Sequence, residues 1–312
     1  MQSDSFTARL ASGELLILDG ATGTELTRRG VDTRLPLWSA GALLDAPDTL
    51  RAIHQDYSRA GARLITANTF RTHRRSLAKG GLGDRARALT HRAVQLVREA
   101  IQLTNQPTTP SPFIAGSIAP LEDCYSPDLV PPDAALHVEH AEMAQHLAEA
   151  GADVLLIETM NTIREARIAA EAARATGLPV LVSCVCAGAT GQRVDPGEPA
   201  RLLSGERLSD AVRAIEPLDP AALLVNCAPV ALIERLLREL RAATRLPIGA
   251  YGNVGHVDER VGWTLTHAVT PEQYAAAARA WREIGASIIG GCCGTAPAHI
   301  AALTAAFQPQ PA

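Results

Sequence analysis

The sequence lacks any apolar run of the roughly 18 residues that a membrane span requires; charged residues, glycine or proline interrupt every candidate stretch. It also lacks a leader pattern, because Met1–Ala11 carries Asp4, Arg9 and polar residues where a secretory signal would be continuously apolar. A cytoplasmic location, with no membrane partner, is the expectation. Lysine is nearly missing: Lys79 is the only one, arginine supplies the other basic side chains, and these do not cluster. With a formal net charge of −4 over 312 residues, the chain has no field that would gather nucleic acid. Nor is there a Pro/Gly/Ser-rich linker, so one domain over 1–312 is expected, with 1–12 an N-terminal extension and 308–312 a frayed tail.

What is present is alternation. Eight short β-rich runs recur along the chain: Leu15–Leu18, Leu64–Ala67, Phe113–Ile118, Val154–Ile157, Val180–Val185, Leu223–Val225, Ile248–Tyr251 and Ser287–Ile289. They are continuously apolar, as parallel strands buried on both faces must be. Segments between them, among them Thr49–Ala60, Asp84–Leu103, Ala134–Ala150 and Pro271–Ile284, carry apolar residues at helical spacing. This pattern predicts a closed (β/α)8 barrel of the α/β class. Gly61, Gly151 and Gly285 end three helices two or three residues before a strand, whereas the segments leaving strands, Ala119–Asp133, Ala187–Arg207 and Gly252–Thr270, are long. That asymmetry puts adaptable loops on the C-terminal face of the barrel, where such folds assemble their sites. Thr104–Pro112 reads as a Pro-rich surface loop.

The C-terminal ends of the strands carry the chemistry: Asp19, Asn68, Glu158, Asn226-Cys227, Asn253 and Cys292-Cys293. Carboxylates and amides gathered on one rim are costly to bury unless a polar ligand pairs with them. The sixth and eighth strands of a closed barrel are separated by a single strand, which brings Cys227, Cys292 and Cys293 close together. Three thiolates with a fourth position open describe a catalytic zinc site, because a structural site supplies all four ligands. Neighbouring residues of a regular strand point to opposite faces, so Cys292 and Cys293 can share one ion only where the backbone bends; Gly290, Gly291 and Gly294 permit that bend. Cys184 and Cys186 lie on one face of the fifth strand and read as core, and Cys124, in a loop, reads as a bystander. The Gly-rich turn Asp19–Thr24 has no Walker lysine and no dinucleotide spacing. A carboxylate beside free amides there suits an amino acid, whose ammonium and carboxylate need opposite partners, and Glu158 offers a second acidic contact.

Leu18-Asp19-Gly20-Ala21-Thr22-Gly23-Thr24-Glu25-Leu26, Leu37-Trp38-Ser39-Ala40, Thr66-Ala67-Asn68-Thr69-Phe70, Glu158-Thr159, Asn226-Cys227 and Gly290-Gly291-Cys292-Cys293-Gly294-Thr295 together resemble the homocysteine S-methyltransferase family. The resemblance runs from about Leu15 to Ala306. It implies that Cys227, Cys292 and Cys293 hold zinc and that Asp19 and Glu158 bind homocysteine, with the backbone at Gly20 and Ala21 taking its carboxylate. Asn68 joins the substrate residues, and Asn253 is expected to occupy the vacant position when substrate is absent.

The family draws its methyl group from S-methylmethionine, S-adenosylmethionine, betaine or cobalamin. With 312 residues no folate or cobalamin module is expected, which disfavours the cobalamin route unless a separate protein supplies it, and the aromatic cage that would hold betaine reads as incomplete, because Arg71 follows Phe70 and Thr159 follows Glu158. Leu37-Trp38-Ser39-Ala40 resembles the branch that uses sulfonium donors, which makes Trp38 the donor-site candidate. Arg71 departs from that branch, as does Tyr251-Gly252-Asn253; beside a cationic donor the Arg71 side chain is expected to point away, unless the donor is of another kind. The residues by themselves leave open a barrel lyase or hydrolase working through Asp19 and Glu158, a zinc or amino-acid binding protein without turnover, and thiol or selenol acceptors other than homocysteine.

Overall fold

A computed structural model describes residues 5–104, 110–189, 191–195, 197–258, 262–264 and 269–308. Eight parallel strands form its main sheet: β1 (Leu16–Ile17), β2 (Leu64–Ala67), β3 (Phe113–Ile118), β4 (Val154–Met160), β5 (Val180–Val185), β6 (Ala222–Pro229), β7 (Ile248–Asn253) and β8 (Ala286–Gly291). Each pairs with its sequence neighbour from β2 to β8, and β1 pairs with β8 through Leu16 opposite Ile288. The ring closes between β1 and β2. Leu18 bridges to Leu64, the amide of Asp19 donates to the Leu64 carbonyl at 2.9 Å, and that of Arg63 donates to Ile17 at 2.7 Å. The expected (β/α)8 barrel is therefore present.

Alternation within the apolar runs now has a meaning. Leu16, Leu18, Leu64, Val154 and Leu156 point into the barrel, while Ile17, Ile65, Leu155 and Ile157 face the surrounding helices. Both sets are buried, which is why these strands carry no polar alternation. Gly151 and Gly285 adopt left-handed backbone (φ 83° and 107°) and end the helices before β4 and β8.

Residues 5–12 pack against the barrel. Ser5 caps a helix, Phe6–Ala11, by accepting from the Ala8 amide at 3.2 Å. Phe6 and Leu10 join the cluster inside the barrel, and the Phe6 ring meets Phe113, the first residue of β3, edge to face at 5.5 Å. The helix thus plugs the N-terminal mouth and buries apolar side chains there, each contributing on the order of 2 kcal/mol. Residues 1–4, 105–109 of the expected surface loop, and 309–312 of the expected tail lie outside the described residues. No helix among the described residues is long and apolar enough to cross a membrane.

At the opposite mouth several strands run further than their apolar runs suggested. β4 extends to Met160 and β6 to Pro229, and in each the pairing register shifts near the end, between Ile157 and Met160 and between Asn226 and Pro229. These irregularities re-aim the residues that follow. They hold Thr159 (φ 62°) and Cys227 (φ 54°), two non-glycine residues in the left-handed region. Backbone strain of this kind costs on the order of 1–3 kcal/mol per residue and persists where the surroundings over-determine it.

Candidate active site

A cavity of about 300 Å³ opens on the C-terminal face, lined among others by Asp19, Trp38, Arg71, Glu158 and all three rim cysteines. The sulfurs of Cys227, Cys292 and Cys293 lie within 4.8 Å of one another, and those of Cys227 and Cys292 are 3.0 Å apart. Four ligands around one zinc ion at about 2.3 Å would put sulfurs roughly 3.8 Å apart. A single ion therefore needs only small adjustments of these side chains. The left-handed turn at Cys227 and the bend after Gly291 supply the geometry: Gly294 (φ 82°) leaves a methyl carbon nowhere to go, since its Cβ would stand 1.6 Å from the Val254 carbonyl oxygen. Hydrogen bonds from Cys292 and then Cys293 hold the Cys227 thiol well below its ordinary pKa, and the same contacts raise those two partners. A divalent ion is the natural counter-charge for three thiolates gathered this closely.

Asp19 lies two residues after β1, buried, with its carboxylate accepting from the amide and the hydroxyl of Thr66, each at 2.9 Å. Burial outweighs those bonds and raises its pKa to about 8, with the nearby Glu158 charge adding to the rise. Glu158, on the irregular end of β4, accepts from Ser117 Oγ at 2.5 Å and from the Tyr251 hydroxyl at 3.0 Å. Its pKa is pushed up to about 7, mainly by desolvation. Two carboxyls held in one cavity with raised pKa values, and with no basic side chain in ion-pair reach of either among the described residues, form a receptor for a cation.

The other predicted positions divide. Gly20 lines the cavity, and its missing Cβ leaves room for Thr295 and Tyr57. Ala21 lines it too, but its amide is taken: it donates to Thr295 Oγ1 at 3.1 Å. Asn68 has both amide ends on Ser39, accepting from its hydroxyl and donating to its carbonyl, each at 2.7 Å, and so acts as a clasp on the Trp38 loop. Asn253 is buried with an unpartnered Oδ1 among the described residues, and it is not one of the side chains lining the cavity. Trp38 lines the cavity, packed edge to face on Phe70 at 5.7 Å. Cys184 and Cys186 are core, as expected. Cys124 is no bystander by position, for it lines the cavity near Cys227 although it stays outside the three-sulfur cluster. Arg71 also lines the cavity, so of the two expectations for it, a side chain turned away or a donor of another kind, the first is not met.

Some contributors carried no sequence signal. Thr66, Ser117 and Tyr251 reach the acids only because β2, β3 and β7 place them there. The loop after β3 is anchored from below, with Glu165 accepting from the Leu121 amide at 2.8 Å and Asn161 donating to the Cys124 carbonyl at 3.0 Å, and it delivers Tyr125 to the cavity wall.

Residues 16–307 match the profile of the family described as homocysteine S-methyltransferase. The chain is 33% identical over 304 residues to homocysteine S-methyltransferase YbgG of Bacillus subtilis, covering 93% of this chain and 94% of that protein. It is 29% identical over 315 residues to a selenocysteine Se-methyltransferase of Brassica oleracea, covering 94% and 88%. The crystal structure of the metallated form of the homocysteine methyltransferase MmuM from Escherichia coli superimposes with a TM-score of 0.81 at 31% identity, covering 96% of this chain and 98% of that one. The likeness extends along nearly the whole length, and the chain belongs to the homocysteine S-methyltransferase family.

Proposed function

We propose that this protein transfers a methyl group from a sulfonium donor, S-methylmethionine or S-adenosylmethionine, to the thiol of homocysteine, with zinc held by Cys227, Cys292 and Cys293. The observation that carries the reading is the joint presence, in one cavity, of a three-sulfur cluster and two carboxyls with raised pKa. Zinc bound there supplies the Lewis acidity that keeps an acceptor thiol, ordinarily of pKa near 8.5, deprotonated at neutral pH. Asp19 and Glu158 take the ammonium of the acceptor, whose charge compensates what burial costs them. Its carboxylate lies against the main chain at Gly20, which lines the cavity. Trp38 and Phe70 present aromatic surface to the cationic donor. In the transfer the thiolate sulfur forms a bond to the methyl carbon as the carbon–sulfonium bond breaks, and the donor leaves as a neutral thioether. No proton moves in that step, so neither acid serves as a general base. The named activity of the Brassica relative makes a selenol an alternative acceptor for the same site.

Purified protein analysed for metals and assayed with homocysteine and each donor tests this reading. About one zinc per chain and methionine formation from a sulfonium are expected. Turnover with betaine alone would overturn the donor assignment, and full activity without metal would overturn the role of the cysteines.

A further inference from the structure

Arg71 lines the cavity and does not turn away from it. Its guanidinium carbon stands 5.8 Å from the centroid of the Phe70 ring, on the cavity wall. Its Nε is buried without a hydrogen-bond partner among the described residues, and it forms no ion pair among them. Asp123 also lines the cavity but is spent elsewhere, accepting from the Tyr125 amide at 3.2 Å and from Ser126 Oγ at 2.9 Å. A partly buried guanidinium with an unbonded Nε and no carboxylate beside it has hydrogen bonds left to give, and its planar fork is shaped for a carboxylate. The cavity is thus bipolar, with acids at Asp19 and Glu158 and an unpaired cation beside the aromatic pair Trp38–Phe70.

We propose that Arg71 binds the carboxylate of the methyl donor and thereby selects donors that carry an anionic group near their sulfonium. The inference rests on the transferase reading above. A bare sulfonium beside Arg71 meets like-charge repulsion, whereas an amino-acid sulfonium brings its own carboxylate to stand between the two cations. The acceptor's carboxylate is not the partner, because an acceptor whose ammonium is held by Asp19 and Glu158 leaves its carboxylate at Gly20, on the β1 side of the site.

The test uses the zinc-loaded full chain, with homocysteine as acceptor and, as donors, S-methylmethionine or S-adenosylmethionine, whichever is used better, and the methyl ester of that compound. Wild type should favour the acid over the ester by roughly 30- to 100-fold in kcat/KM. Arg71→Gln should bring that ratio to within about threefold by raising the donor KM, leave the homocysteine KM within about twofold, and improve use of the ester. Arg71→Lys should restore part of the preference. An unchanged acid-to-ester ratio in Arg71→Gln overturns the proposal, as does a loss that falls on the homocysteine KM. Should the variants not fold, equal use of acid and ester by wild type overturns it alone. A wild-type protein that transfers from neither sulfonium sinks the proposed function itself, an outcome distinct from the failure of Arg71 to discriminate.

Discussion

Replacing Asp19 by asparagine separates the binding role of this carboxyl from its role in the fold. Asparagine has the same size, its amide oxygen can still accept from the Thr66 amide, and the Thr66 hydroxyl can rotate to accept from the new NH2 group. The stability change has a predictable sign. Burial lifts the folded-state pKa of Asp19 from 3.8 to about 8, so near pH 7 the folded protein keeps a proton that the unfolded chain releases. An ionisable group of that kind costs stability as pH rises above its unfolded pKa; asparagine removes the cost, and Tm should stay level or rise. Affinity should move the other way. A buried hydrogen bond to a charged partner contributes about 1.5–3 kcal/mol, which corresponds to a rise of roughly 10- to 150-fold in the homocysteine KM. The donor KM should stay within about twofold. Steady-state kinetics with each substrate varied in turn, beside a thermal melt, measures all three quantities. A homocysteine KM within about threefold of wild type in a protein of unchanged Tm would refute the assignment, and so would a loss confined to the donor.

The pKa values of about 8 for Asp19 and about 7 for Glu158 predict that acceptor binding, which needs ionised acids, strengthens as pH rises from 6 to 8 by up to about tenfold per unit for each acid that must lose its proton; a flat pH profile of kcat/KM for homocysteine contradicts it. Serine at Cys227, Cys292 or Cys293 should reduce zinc from one per chain to a trace and abolish turnover, as elemental analysis and assay together report. Phe6→Ala empties the plug at the far mouth and should lower Tm by roughly 5–10 °C while leaving kcat unchanged; a loss of kcat at full stability would show that the plug communicates with the site.

The barrel was legible in the sequence because its signal is redundant: eight apolar runs, helices ended by glycine, and long loops on one side only. Strand ends were less legible. Glu158 and Cys227 were expected just beyond their strands, but both lie within strands whose final residues leave regular register, and pattern alone cannot see an irregularity. The cysteines could be read because Gly-Gly-Cys-Cys-Gly has few other uses. Asn68 and Ala21 show the opposite limit. Both stand on the rim as predicted, yet Ser39 and Thr295 had already taken their polar groups. Sequence position names the groups that can reach a site; only coordinates reveal which still have a hydrogen bond to give. Arg71 illustrates the same point in reverse, for the departure from the family's pattern was visible and its unpaired state was not.

Asn226 ties the two halves of the site together. It lies on β6, between β5 and β7, is completely buried, and does not line the cavity. Its Oδ1 accepts from the Thr159 amide at 3.2 Å and Ser183 Oγ at 2.7 Å, while its Nδ2 donates to Thr159 Oγ1 at 2.8 Å. One amide therefore fixes the left-handed Thr159 beside Glu158, and the next residue along its own strand is the left-handed Cys227. Removing it should release both strained turns at once. Asn226→Ala is expected to weaken zinc binding and raise the homocysteine KM, each by about tenfold or more, as loss of a group supporting metal ligands typically does, although the side chain touches neither ligand. Competition with a zinc chelator and the acceptor KM are independent readouts of the two effects. If only one of them moves, the acid pocket and the sulfur cluster are held separately and the coupling through Asn226 is wrong.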